Sequence, residues 1–149
     1  MRALAVDFGS KRMGLAMSDE MGILCTPIAA LVRTPSIKRD SRAIALKAEE
    51  IGAECIVVGL PLEMNGEHGK SALQAEEFAR RLQNYTRVPV VLQDERLSSF
   101  EAEDRLREAG VKSRKVRGLL DSQSAAVILE SYLGELRDTK LQERHAPEI

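Results

Sequence analysis

The chain has 149 residues and a mass of 16.5 kDa, enough for one domain with its own core and too little for two. Hydrophobic residues at 44% against 30% charged exclude a disordered chain, and a net charge of −1 excludes a uniform polycation. The longest apolar stretch, Cys55 to Leu62, contains Gly59 and Pro61 and is too short to cross a bilayer. No membrane partner and no secretory leader are expected, which points to the cytoplasm. Cys25 and Cys55 lie in apolar surroundings without a second cysteine or a histidine at metal-ligand spacing, so buried free thiols are expected. With only His68 and His145 present, a zinc site or histidine-based catalysis is disfavoured.

In chain order, residues 2–8 read as a strand that is apolar on both faces until Asp7, as in the centre of a sheet. Gly9-Ser10-Lys11 is a turn, Met13–Ser18 a second strand, residues 19–22 another turn, and Ile23–Val32 a third extended stretch. Two short turns in succession imply an antiparallel meander. From Ser36 the period becomes helical, with Ile37, Ile44, Ala48 and Ile51 on one face and Gly52 as the stop. Glu54–Leu60 is a β-branched strand, Pro61–Gly69 a long loop, Ser71–Tyr85 a second helix and Val88–Leu92 a strand ending at Gln93-Asp94-Glu95-Arg96. Ser98-Ser99-Phe100-Glu101 has the form of a capping box that opens a helix stopping at Gly110. A last helix runs from about Val116 to Leu136, giving one domain over 1–136 and a flexible tail over 137–149. The order β-β-β-α-β-α-β-α-α gives an α/β fold, a mixed five-stranded sheet flanked by helices, and is that of the ribonuclease H-like fold.

Three acids stand where acids are costly. Asp7 ends a central apolar strand, where an ionised carboxylate needs a partner or a metal. Gly9 follows, leaving room for a ligand or a positive φ. Asp94 and Glu95 end another strand, and since neighbouring side chains alternate, only one of them can meet Asp7. Glu95 is assigned that place, with Asp94 on backbone or a helix N-terminus; both could instead be loop acids paired with Arg96. Asp121 falls in line with Ala125, Ile128 and Tyr132 on an apolar helical stripe, which faces it inward unless it only serves the first turn of its helix. Together the three would suit Mg²⁺ or Mn²⁺, in a two-metal arrangement that supports in-line phosphodiester hydrolysis. Without metal they would repel one another.

Basic charge is concentrated from Arg105 to Arg117, including Lys112, Arg114 and Lys115, with Glu108 as the one acid between them. This is either a solvated face or an anion-binding patch. With Lys11, Arg12 and Arg96 it could hold a phosphate backbone. Gly69-Lys70-Ser71 has the end of a P-loop, but Met64 stands where the required first glycine belongs. Three Phe, two Tyr and no Trp are too few for a single-strand stacking module.

Four co-linear segments resemble the YqgF family, also called RuvX. Val6-Asp7-Phe8-Gly9-Ser10-Lys11-Arg12-Met13-Gly14-Leu15-Ala16 with Ser18-Asp19 matches its opening motif, and Val58-Gly59-Leu60-Pro61-Leu62 with Met64-Asn65-Gly66 and Gly69 its second. Asp94-Glu95-Arg96-Leu97-Ser98-Ser99 matches the third, and Asp121 with Ser124-Ala125 and Ile128-Leu129 the fourth. The resemblance covers residues 3 to about 133. Met13 replaces the usual Ile, Ser98-Ser99 the usual Thr pair, and Ser124 stands where Ala is common. It implies a ribonuclease H-like nuclease related to Holliday junction resolvases, with Asp7, Glu95 and Asp121 as catalytic acids, and maturation of the 5′ end of pre-16S ribosomal RNA as the assigned role.

The expectation is therefore a metal-dependent endonuclease acting on structured nucleic acid, pre-rRNA or branched DNA. Asp7 bridges two metals while Glu95 and Asp121 hold one each, and Lys11, Arg12, Arg96, Lys112, Arg114 and Lys115 meet phosphate. Two rivals remain open. One is a junction resolvase, which needs a homodimer rather than a monomer to make paired cuts. The other is a non-catalytic RNA-binding assembly factor.

Overall fold

The computed structural model describes residues 1–95 and 113–144, excepting the side chains of 113–121 and 144. The expected helix over 98–110 lies outside the described residues, as do the side chains of Arg96, Lys112, Arg114, Lys115 and Asp121. Five strands form one sheet: β1 (Ala3–Phe8), β2 (Arg12–Ser18), β3 (Cys25–Val32), β4 (Cys55–Leu60) and β5 (Val90–Asp94). Their order is β3-β2-β1-β4-β5, antiparallel from β1 through β3 and parallel from β1 through β5. The helices are α1 (Ile37–Ile51), α2 (Lys70–Leu82) and α3 (Ser113–Arg144). This is the mixed sheet expected of the ribonuclease H-like fold.

Side-chain alternation divides the core between the two sheet faces. Leu4, Val6, Met13, Leu15, Ile56 and Val58 pack with α1 and α2 through Ile44, Ala48, Phe78 and Leu82. Ala3, Ala5, Ala16, Cys55 and Val57 pack with α3 through Ala125, Ile128, Leu129 and Leu133. Alanines dominate the second face, which lets the helix approach the sheet closely. Cys25 and Cys55 are free thiols, the first half-buried and the second buried.

Several element boundaries differ from the expected ones for local reasons. β5 begins at Val90 because Pro89 has no N–H to give the ladder; its carbonyl accepts from Ile56 N at 2.9 Å instead. α2 ends at Leu82, since the Gln83 side chain turns back to Val88 O at 2.9 Å and accepts from Val90 N at 2.9 Å. α1 keeps its expected ends: Ser36 accepts from Arg39 N, and Gly52 closes it in the left-handed conformation at φ 69°. α3 continues to Arg144, past the apolar stripe that stops near Leu136. Its last turns are exposed and rich in strong helix formers, so propensity sustains them without burial.

Candidate active site

Asp7 and Glu95 meet on the α3 face of the sheet. Asp7 shares the parity of Ala3 and Ala5, whose side chains pack under α3. Glu95 shares that of Val91, packed on the same cluster, and of Gln93, whose Nε2 donates to Glu135 of α3 at 3.2 Å. Asp94 has the opposite parity and is exposed. Side-chain alternation thus sends the two neighbours to opposite faces of the sheet.

The sequence did not show that β4 lies between β1 and β5. Glu95 reaches across it because the intervening residue is Gly59, which pairs with Gln93 and follows Val58, the partner of Val6. A Cβ at Gly59 would lie 2.6 Å from Ile128 Cδ1 and still closer to Glu95 Oε2. The carboxylate occupies the space of the missing side chain. The Glu95 N–H donates to Leu60 O at 3.1 Å, which anchors its backbone to the end of β4.

Burial, then the charges of Asp7 and Asp94, push the Glu95 carboxyl from 4.5 up to about 8. Its Oε2 is buried and has no hydrogen-bond partner among the described residues. A buried carboxylate oxygen left unpaired beside another acid fits a hard divalent cation, which supplies the missing ligand partner and offsets the repulsion. No group of three metal-ligating side chains occurs among the described residues. The third expected ligand, Asp121, belongs to α3 four residues before the buried Ala125, but its side chain is outside them.

α3 is fixed to the sheet next to that position. Ser122 Oγ accepts from Leu15 N at 3.4 Å and donates to Ile28 O at 2.7 Å. These are the strand groups at the register shift between Met13 and Leu15. One hydroxyl thereby satisfies both strands at an irregularity and sets where residue 121 sits along the sheet. Ser124 is also buried.

The turn after β1 holds the other expected contacts. Gly9 N–H bonds Arg12 O at 3.0 Å, and a Cβ on Gly9 would lie 2.7 Å from that oxygen. The glycine is required for close approach and not for a positive φ, which it does not have. Lys11 is exposed and Arg12 half-buried at this turn, beside the end of β1 that bears Asp7. The loop 61–69 is closed on itself by Glu63 N to Glu67 O at 2.9 Å and Gly66 N to Glu63 O at 2.7 Å.

A family model described as RuvX, Holliday junction resolvase, matches residues 1–135. A protein of Anaeromyxobacter sp. (strain Fw109-5) named "Putative pre-16S rRNA nuclease" is 46% identical over 133 residues, covering 89% of this chain and 96% of that one. A protein of the same name from Syntrophus aciditrophicus (strain SB) is 38% identical over 141 residues, covering 95% and 93%. The solved structure of T. thermophilus RuvC in complex with Holliday junction substrate matches with a TM-score of 0.55 at 18% identity, over 93% of this chain and 98% of that one. That last likeness is one of fold.

Proposed function

This chain belongs to the RuvX family, and from that premise and the Asp7–Glu95 pair we propose that it is a nuclease. In this reading it is a divalent-metal-dependent endonuclease that hydrolyses phosphodiesters at the 5′ end of pre-16S rRNA. The observation that supports it most directly is the unpaired, buried Glu95 Oε2 beside Asp7. A protein that only binds phosphate gains nothing from acids held together at this cost.

Asp7, Glu95 and Asp121 would hold Mg²⁺ or Mn²⁺, which when bound supplies charge stabilisation at the reacting phosphate and a more acidic water. Asp7 lies between the other two in the proposed arrangement. Gly59 keeps the Glu95 carboxylate in reach, and Ser122 holds α3 in register. Lys11, Arg12 and Arg96, with Lys112, Arg114 and Lys115, orient the strand through its phosphates.

The test offers a pre-16S 5′ leader RNA and a four-way DNA junction, with Mn²⁺ and with Mg²⁺, to wild type and Asp7→Asn. Metal-dependent cutting of the RNA, lost in the variant with folding intact, is expected. Paired symmetric cuts in the junction would move the substrate to branched DNA, as the family description suggests. Binding of the leader without any cut would favour the assembly factor.

A further inference from the structure

On the other face of the same strand end lies a cavity of about 490 Å³, within the roughly 300–1,000 Å³ of small-ligand sites. Phe8 follows Asp7 and therefore points to the α1/α2 side, where its ring stacks on the buried Phe78 with centroids 4.2 Å apart and planes 8° from parallel. Arg33 covers Phe8, its guanidinium carbon 4.1 Å from the ring centre. Arg33 is tied down by a bond from Nη1 to Gly9 O at 3.1 Å and by Nε 3.5 Å from the buried Asp40 carboxylate. Thr34 in turn holds Asp40 through its N–H at 2.9 Å and its hydroxyl at 3.0 Å. The column Phe78–Phe8–Arg33 thus runs outward from the core and ends in the cavity, which Arg33 lines with Phe8, His68, Lys70, Leu73 and Gln74.

We propose that this cavity takes one unpaired nucleotide of the nucleic-acid strand bound at the Asp7–Glu95 site, its base stacking on the Arg33 end of the column. The inference rests on the nuclease reading for its ligand. A fixed guanidinium is a platform on which any base can stack. The cavity walls are largely apolar, as a base requires, while Lys70 at the exposed start of α2 offers a cation to the attached phosphate. His68 is paired with Glu76 at 2.5 Å, and Glu77 on the same wall is engaged by Arg80 and Arg81, so these acids do not oppose the phosphate alone. Because Asp7 and Phe8 are consecutive at the end of β1, a strand crossing that end can place a phosphate at the acids and a neighbouring base in the cavity. Double-stranded substrate would have to unstack that base.

The experiment places 2-aminopurine at each position of a short single-stranded RNA in turn and follows its fluorescence and anisotropy with the full chain in EDTA. Quenching at one position is expected, lost in Leu73→Glu and in Arg33→Lys, which keeps the charge and removes the plane. Lys70→Glu should weaken binding roughly five- to tenfold, on the scale of one lost contact. Lys70 and Leu73 are exposed on α2, so their variants should unfold at the wild-type temperature. Quenching that survives in Leu73→Glu and Arg33→Lys, or that appears at no position, overturns the proposal. Adenosine monophosphate binding with the same variant dependence, but no quenching in the RNA, would overturn the strand assignment in favour of a free nucleotide. In the nuclease reading no cut is made in EDTA, so failure here leaves that reading standing, and loss of cutting in Asp7→Asn leaves the cavity standing.

Discussion

Glu95 can stand beside Asp7 only because residue 59 between their strands has no side chain. Gly59→Ala pushes a methyl group against Glu95 and Ile128. Overpacking of this kind costs about 1–3 kcal/mol, and the displaced carboxylate should lower the cleavage rate more than the stability loss explains. Unfolding and single-turnover cleavage measured on the same sample separate the two effects. A second residue-scale expectation concerns pH. Without metal, the folded protein keeps the Glu95 proton up to about pH 8, whereas the unfolded chain releases it near 4.5. The folded state therefore binds more protons across that window, and stability falls as pH rises through it. Glu95→Gln should flatten this dependence and stabilise the metal-free protein above pH 8, because it removes a buried charge beside Asp7 and Asp94. Urea unfolding in EDTA at pH 6 and pH 9 checks both. An unchanged slope in the variant would mean that another group titrates.

At the scale of elements, α3 does two jobs with different physics. Over residues 122–133 it is held by burial and by the Ser122 hydroxyl at the strand irregularity. Ser122→Ala leaves Leu15 N and Ile28 O short of a partner and should cost about 1–3 kcal/mol. It should also lower cleavage, because residue 121 loses its register; alanine at the exposed Ser131 should do neither. Beyond that stretch burial falls away, leaving propensity and the side-chain bonds of Glu135 with Gln93 and of Arg137 with Gly22 O. Gly134 weakens the helix for no packing reason, since nothing lies within 4 Å of where its Cβ would be. Gly134→Ala should therefore stabilise the protein by about 0.5–1 kcal/mol, seen as a higher unfolding midpoint with unchanged cleavage. The extension of α3 to Arg144 was not legible in the sequence. Apolar periodicity reports burial, and these turns are helical without it. The start of β5 was legible in principle, because Pro89 has no N–H to give the ladder.

For the whole molecule, the proposed cation would make the acid pair a single stability switch. A cation at a hundred times its Kd stabilises the folded state by about 2.7 kcal/mol, which is about 5–10 °C at this chain length. Mg²⁺ or Mn²⁺ should raise the unfolding temperature by that order at pH 8 in wild type and not in Asp7→Asn; scanning calorimetry with and without EDTA decides it. No helix among the described residues is long and apolar enough to cross a membrane.

The sequence by itself determined the element order, hence the mixed sheet, because strand and helix periods and short turns are local properties. It also limited the partner of Asp7 to one of two adjacent acids, because side-chain alternation along a strand sends them to opposite faces. Only the tertiary structure decided that β4 separates the two acids and that Gly59 makes room for their meeting. It alone brought Ser122 to the irregularity in β2 and β3, and stacked Phe78, Phe8 and Arg33 from three separate elements and their edges. Those are contacts between residues far apart in the chain, and strand order and packing, which no local pattern encodes, set them.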